Sequence, residues 1–438
     1  MTALHTNAIS GTLRREVGVF GATMMGLGAI IGTGIFVSVG YAIREAGDWI
    51  VVAIGVAAVV ATLNGLSSAQ LAAAHPVSGG TYEYGYRWLH PSLGFTAGWM
   101  FLCAKSASAA TAALGFASYG LRLFQVEADS FKVPIGLVLL VVVMGIVLLG
   151  VRWSSIFNAS VVTVTLTALA IFIVIGLMTV WFAPDGKATL AGIGEARSDS
   201  HFMGILEACA LMFVAYTGYG RIATLGEEIR NPRKNISIAI IFTLGVSMVL
   251  YLSVAWVSVN VVGAIAFEGG AVESGAPLEM VAKRFLIPQV SYLVGVGAVM
   301  SMLGVLINLV LGLSRVVLAM GRRRDLPEVF SRVDISGRAP TGAVLLVGGC
   351  IALLIVIGNG KTTWSFSAFT VLIYYSITNL AAIRMSDSER RYPSLLAWLG
   401  LFSCLFLAFW VEPSVWLVGV GLIGVGLLWW RIRKLQSC

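Results

Sequence analysis

"GLGAIIGTGIF", residues 26–36, places Gly26, Gly28, Gly32 and Gly34 inside a segment with no charged side chain from Val17 to Ile43. A glycine in a helix interior is worth about 1 kcal/mol less than alanine, so a segment built like an apolar helix weakens its own centre. The setting explains why this can be useful. Of 438 residues 58% are hydrophobic and 11% charged, and the mean hydropathy is +0.91; soluble chains carry about 25% charge. Crossing a hydrocarbon core of about 30 Å takes about 20 apolar residues. Runs of that kind fall at 18–43, 49–74, 92–121, 133–151, 153–183, 202–226, 235–267, 285–321, 341–359, 362–383, 394–411 and 413–430. The fold class expected is an all-α polytopic membrane protein of about twelve spans.

Charge gives an orientation. Of the 29 Lys and Arg residues, nineteen lie in segments on the side of the N-terminus, eight lie opposite, and Lys105 and Arg315 fall within spans. Because cytoplasmic loops collect Lys and Arg, both termini are expected in the cytoplasm, and the chain in the cytoplasmic (inner) membrane. The net charge of +8 is then a loop signature rather than a nucleic-acid surface. Cys103, Cys209, Cys350, Cys404 and Cys438 form no CxxC pair, so neither a disulfide framework nor a metal site is indicated. The first sixteen residues are polar and the apolar run after them is too long for a signal-peptide core.

In hydrocarbon an unpaired backbone group costs several kcal/mol, so a helix is broken only where protein or a water-filled cavity satisfies the freed groups. "GTG" at 32–34 would present N–H donors at the start of a half-helix, a site for an anion, with the Thr33 hydroxyl beside it. Two alternatives compete: a helix-packing face at Gly28-x-x-x-Gly32, and a dinucleotide fingerprint, which would need a strand before it. The sixth run carries a second glycine-centred stretch, "FVAYTGYGR" at 213–221. Discontinuous helices at matching places in two halves point to a transporter with a site at mid-membrane.

On these residues the chain resembles the amino acid–polyamine–organocation (APC) superfamily of secondary transporters. The stretches are "GLGAIIGTGIFVSVG" in the first span, "HPVSGGTYEYGYRWLHPSLGFTAGW" (75–99), "AYTGYGRIATLGEEIRNPRKNIS" (215–237) and "LSRVVLAMGRRRDLP" (313–327), in family order. The resemblance implies a five-plus-five inverted repeat with discontinuous helices 1 and 6, followed by two further helices. Its expected segments are a tail at 1–16, a first repeat at 17–183, a second at 202–383, two helices within 394–430 and a tail at 431–438. It implies an amino acid or related amine as substrate. The carboxylate would sit on Gly32, Thr33 and Gly34, and the α-ammonium on carbonyls of Ile30, Val214 and Thr217, beside Ala215. Gly34 is expected to provide both backbone freedom and lack of bulk, and Tyr219 to close over the ligand.

Three further side chains are candidates for coupling. Lys105 stands deep in the third run, where an ionisable residue is a functional candidate. Some relatives carry a lysine in the fifth helix where others bind sodium; here Thr165 or a neighbour takes that place. The middle of the eighth run, 302–313, has no Ser or Thr, only Asn308, which disfavours sodium coupling. Glu207 lies in the first half of the sixth run, and its simpler reading is a place in an outer vestibule. Tyr82, Tyr84 and Tyr86 read as interfacial aromatics.

The leading function is a secondary amino-acid transporter working by alternating access, sodium-independent, by proton coupling or exchange. A polyamine or amine transporter or antiporter of the same fold is the alternative, and a passive channel the more distant one. No P-loop, cofactor motif or catalytic cluster is found: His5, His75, His90 and His201 all lie outside mid-span positions. The partners expected are the small-molecule substrate and the bilayer, with no nucleic acid.

Overall fold

The computed structural model describes residues 17–77, 79–126, 129–149, 154–182, 201–224, 229–267, 275–333, 340–357 and 359–436. The expected tail at 1–16 lies outside them. Nine runs among the described residues are long and apolar enough to cross a membrane. The first, Val19–Ala74, holds two passes separated by the turn Gly47–Trp49, and two shorter apolar helices complete the twelve. In order the spans are Val19–Ile30 with Val39–Ala46, Ile50–Ala74, Pro91–Leu123, Lys132–Leu149, Ser154–Phe182 and His201–Tyr216 with Gly220–Thr224. Pro232–Val262, Val290–Arg322, Thr341–Ile357, Gly360–Ile383, Ser394–Ala408 and Pro413–Gln436 follow.

The first and sixth spans are each interrupted, and they lie at the centre. Each of the first four spans packs against the span five further along: first on sixth, second on seventh, third on eighth, fourth on ninth. The tenth span is enclosed, with 78% of its apolar window buried, whereas the twelfth has 17% buried and faces lipid. Helices in a bilayer gain little from the hydrophobic effect on one another, so small residues and polar contacts decide their packing. The tenth span follows that rule with a ladder of hydroxyls: Thr111 Oγ1 to Thr363 Oγ1 (2.7 Å), Ser108 Oγ to Ser367 Oγ (2.8 Å) and Thr81 Oγ1 to Thr378 Oγ1 (2.7 Å). On its other side Asn379 Nδ2 donates to Asn64 Oδ1 (2.6 Å) of the second span.

Between the second and third spans the chain forms a short helix, Thr81–Trp88, which the sequence reading did not separate. Its tyrosines turn inward to protein partners. Tyr82 and Tyr84 are fully buried, and the hydroxyls of Tyr82 and Tyr86 both donate to Asp325 Oδ2, at 2.7 and 2.6 Å. Asp325 follows the eighth span, so one buried carboxylate ties the short helix to that span's end. Hydrogen bonds to a charged acceptor contribute about 1.5–3 kcal/mol. Asp325→Ala is therefore expected to lower the melting temperature in detergent more than Tyr86→Phe does; an equal or smaller shift would remove the tie.

Candidate functional site

The first span ends its first half at Ile30, passes through an extended Ile31 (φ −81°, ψ 91°), and resumes as a π-helical turn, Gly34–Ser38. π-turns inside helices recur at functional sites because they free backbone groups from the regular ladder. The N–H groups of Ile35 and Phe36 both turn back to the Gly32 carbonyl, at 3.1 Å each. The sixth span ends its first half at Tyr216, tightens through a turn at Thr217–Tyr219, and resumes at Gly220.

A helix end leaves carbonyls without partners, and here side-chain hydroxyls supply them. Tyr251 of the seventh span donates to the carbonyl of Ile30 (2.9 Å) and to that of Ala215 (3.1 Å), bridging the two breaks with one phenol. Ser301 of the eighth span donates to the carbonyl of Ile31. Thr217 Oγ1 donates to the carbonyl of Val214 (2.7 Å), and Tyr375 to that of Thr217 (3.3 Å). The carbonyls of Ile30 and Val214 thus each hold a side-chain donor, while that of Thr217 holds two, the Tyr375 hydroxyl and the backbone N–H of Gly220. Thr33, 3% exposed, has no partner for its hydroxyl.

The glycines bring the breaks together. A Cβ on Gly218 would lie 2.5 Å from both the carbonyl carbon and oxygen of Ala29, and one on Gly34 would lie 2.5 Å from the Tyr251 hydroxyl and 2.9 Å from the Ala215 Cβ. Gly34 is not among the residues with positive φ, so what it provides is the absence of a side chain rather than backbone freedom. The packing alternative for Gly28 and Gly32 is also real. A Cβ there would meet Asn158 Oδ1 at 2.5 Å and Val305 Cγ2 at 2.4 Å, so both glycines seat the first span against the fifth and eighth.

Lys105 reaches this centre. It is 8% exposed and its ammonium donates to Thr217 Oγ1 at 2.9 Å. Lys105 and Thr217 line a cavity of about 50 Å³ with Ala29, Phe101, Gly218, Gly220, Arg221, Val305, Asn308, Leu309 and Gly312. Tyr219 lies elsewhere: it is fully buried with its ring 5.5 Å from that of Tyr375. Thr165 is turned to its own helix, donating to the Val161 carbonyl at 2.8 Å. In the fifth span it is Asn158 that faces the first, donating to the Met24 carbonyl (3.1 Å) and accepting from Asn308 Nδ2 (3.0 Å). Glu207 stands apart from the cavity, 4.0 Å from Lys361 Nζ, which also pairs with Glu45 (2.9 Å) and Glu412 (3.1 Å).

Asn158, Tyr251, Ser301 and Tyr375 were not singled out from the sequence. The signal for Tyr251 was there, a lone phenol in "MVLYLSVAW". Ser301 sits one residue outside the stretch 302–313 that was read for hydroxyls.

Two interrupted helices, meeting mid-bundle around buried polar groups, define a multi-pass membrane transporter. The chain matches the amino acid permease family over residues 21–434 and belongs to that family. It is 35% identical over 432 residues to an uncharacterized transporter of Mycobacterium tuberculosis, covering 99% of this chain and 94% of the relative. It is 28% identical over 361 residues to a branched-chain amino acid permease of Bacillus subtilis, covering 78% and 75% of the two chains. A methylthioribose transporter of the same organism is 26% identical over 456 residues, with 98% and 95% covered.

Proposed function

We propose that this permease carries an amino acid across the cytoplasmic membrane by alternating access, with both termini in the cytoplasm. The observation that carries the reading is the Tyr251 hydroxyl held between the carbonyls of Ile30 and Ala215, which marks the meeting of the two breaks. Carbonyl ends of two half-helices favour a cation, and the turn at Gly32–Gly34 favours an anion. An α-amino acid carries both charges a bond or two apart. Gly32, Thr33 and Gly34 take the carboxylate, and the unpartnered Thr33 hydroxyl supports that assignment. Ile30, Val214, Ala215 and Thr217 surround the ammonium. The pairing of spans five apart supports two repeats, 17–183 and 202–383, with the helices within 394–430 added outside. An amine without a carboxylate leaves the anion side of this site empty, which ranks the polyamine reading second.

Transport proceeds without sodium. At the junction of the first, fifth and eighth spans the amide of Asn158 already occupies the Met24 carbonyl and is itself held by Asn308. In proteoliposomes, accumulation of a radiolabelled amino acid is expected to persist when choline replaces sodium on both sides. A strict sodium requirement would overturn this assignment. Equal competition by decarboxylated and deaminated analogues would overturn the two-ended site itself.

A further inference from the structure

We propose that Lys105 is the receptor for an anionic group at the far end of the substrate, so that the permease selects amino acids with an acidic side chain. The inference deepens the amino-acid reading and rests on it. Lys105 is an ammonium buried in the middle of a membrane-spanning helix, and buried charges are ordinarily paired. No carboxylate of the described residues lies within ion-pair distance of it, and its one hydrogen bond is to the neutral Thr217 hydroxyl. An ammonium has three N–H donors, which leaves two for a ligand.

The surroundings name the charge of that ligand. Among the described residues, the cavity wall that Lys105 shares with Thr217, Ala29, Gly218 and Asn308 holds no acidic side chain. A cationic side chain would meet the like charge of Lys105 there, and an aliphatic one would leave the ammonium uncompensated. The volume names its size. A cavity of about 50 Å³ has room for a terminal carboxylate beside the Lys105 ammonium. Because Thr217 belongs both to the cavity and to the sixth-span break, a side chain leaving the break at that residue enters this space.

The nearest competing role for Lys105 is in the conformational cycle, with no contact to substrate. The two roles separate by ligand. In thermal-shift and competition measurements on the purified wild type, L-glutamate or L-aspartate is expected to bind at least tenfold more tightly than L-glutamine or L-asparagine, and L-lysine more weakly still. Lys105→Met, similar in length and uncharged, should abolish the acidic preference while binding the amides within about threefold of wild type. Lys105→Arg should retain part of the preference. Equal binding of acid and amide by the wild type overturns the proposal, and that measurement needs no variant. A Lys105→Met protein that is folded and impaired equally for every ligand overturns it too, assigning the lysine to the cycle. Preference for neutral amino acids would leave the amino-acid reading standing without this inference, whereas failure of all twenty to bind would remove both.

Discussion

Gly34→Val is expected to abolish substrate binding while leaving membrane insertion and monodispersity intact. A Cβ at residue 34 would sit 2.5 Å from the Tyr251 hydroxyl, 2.9 Å from the Ala215 Cβ and 3.1 Å from its Cα. The phenol can swing, but swinging releases the carbonyls of Ile30 and Ala215 together. Each buried acceptor left unsatisfied costs about 1–3 kcal/mol. Tyr251→Phe would not rescue the variant, because Ala215 still presses on the new side chain. At least a hundredfold loss of affinity by ligand-induced thermal shift is the expected reading, as about 1.4 kcal/mol corresponds to each tenfold step. Gly55→Val is the matched control, since a Cβ there meets nothing within 4 Å. Undiminished uptake by Gly34→Val would show that the first break does not hold the ligand.

The two breaks were legible because glycine in a membrane helix is a local signal: it removes helix propensity whatever surrounds it. Which way a side chain faces is a different matter. In water an amphipathic stripe reveals the buried face, but lipid and protein core are both apolar, so that contrast is lost. Thr165 and Asn158 illustrate the consequence, being seven positions apart and so on similar faces of one helix. Only the structure shows that Asn158 reaches the first span while Thr165 bonds to its own turn. The inward packing of the tyrosines of 82–86 was hidden for a related reason. An aromatic at the membrane surface and one buried under a short helix have the same sequence neighbours; what distinguishes them is Asp325, more than two hundred residues away. Lys105 was legible as an oddity, since a charge in an apolar run needs no structure to be noticed. Its partner was not, because Thr217 looks like any other small polar residue beside a glycine.

A single methyl group at Gly218 is expected to slow transport at saturating substrate by about tenfold or more. The Cβ of Gly218→Ala would fall 2.5 Å from the carbonyl carbon and oxygen of Ala29 and 2.6 Å from the Ile30 Cγ1. Unlike the Tyr251 hydroxyl, the Ala29 carbonyl is main chain, so relief requires the first half-helix of the first span to move as a body. It has little room. On its other faces Gly28 abuts Asn158 and Val162, and Gly32 abuts Val305, with no space for a further carbon at either place. The half-helix is wedged between the sixth-span break and the fifth and eighth spans. Overpacking of this kind costs about 1–3 kcal/mol, and it falls on the state in which the breaks touch rather than on the fold as a whole. Radiolabelled uptake should therefore drop while the yield of monodisperse protein is kept. Gly245→Ala, where a Cβ meets nothing within 4 Å, should be neutral. The wedge also predicts a rescue. Asn158→Ala removes the wall behind Gly28, so the double variant should recover part of the uptake lost in Gly218→Ala, even though Asn158→Ala alone gives up the bond to Met24. If Gly218→Ala transports at the wild-type rate, the contact between the breaks is not part of the transport cycle. If it is slow but Asn158→Ala gives no recovery, the half-helix is held by something other than the fifth span.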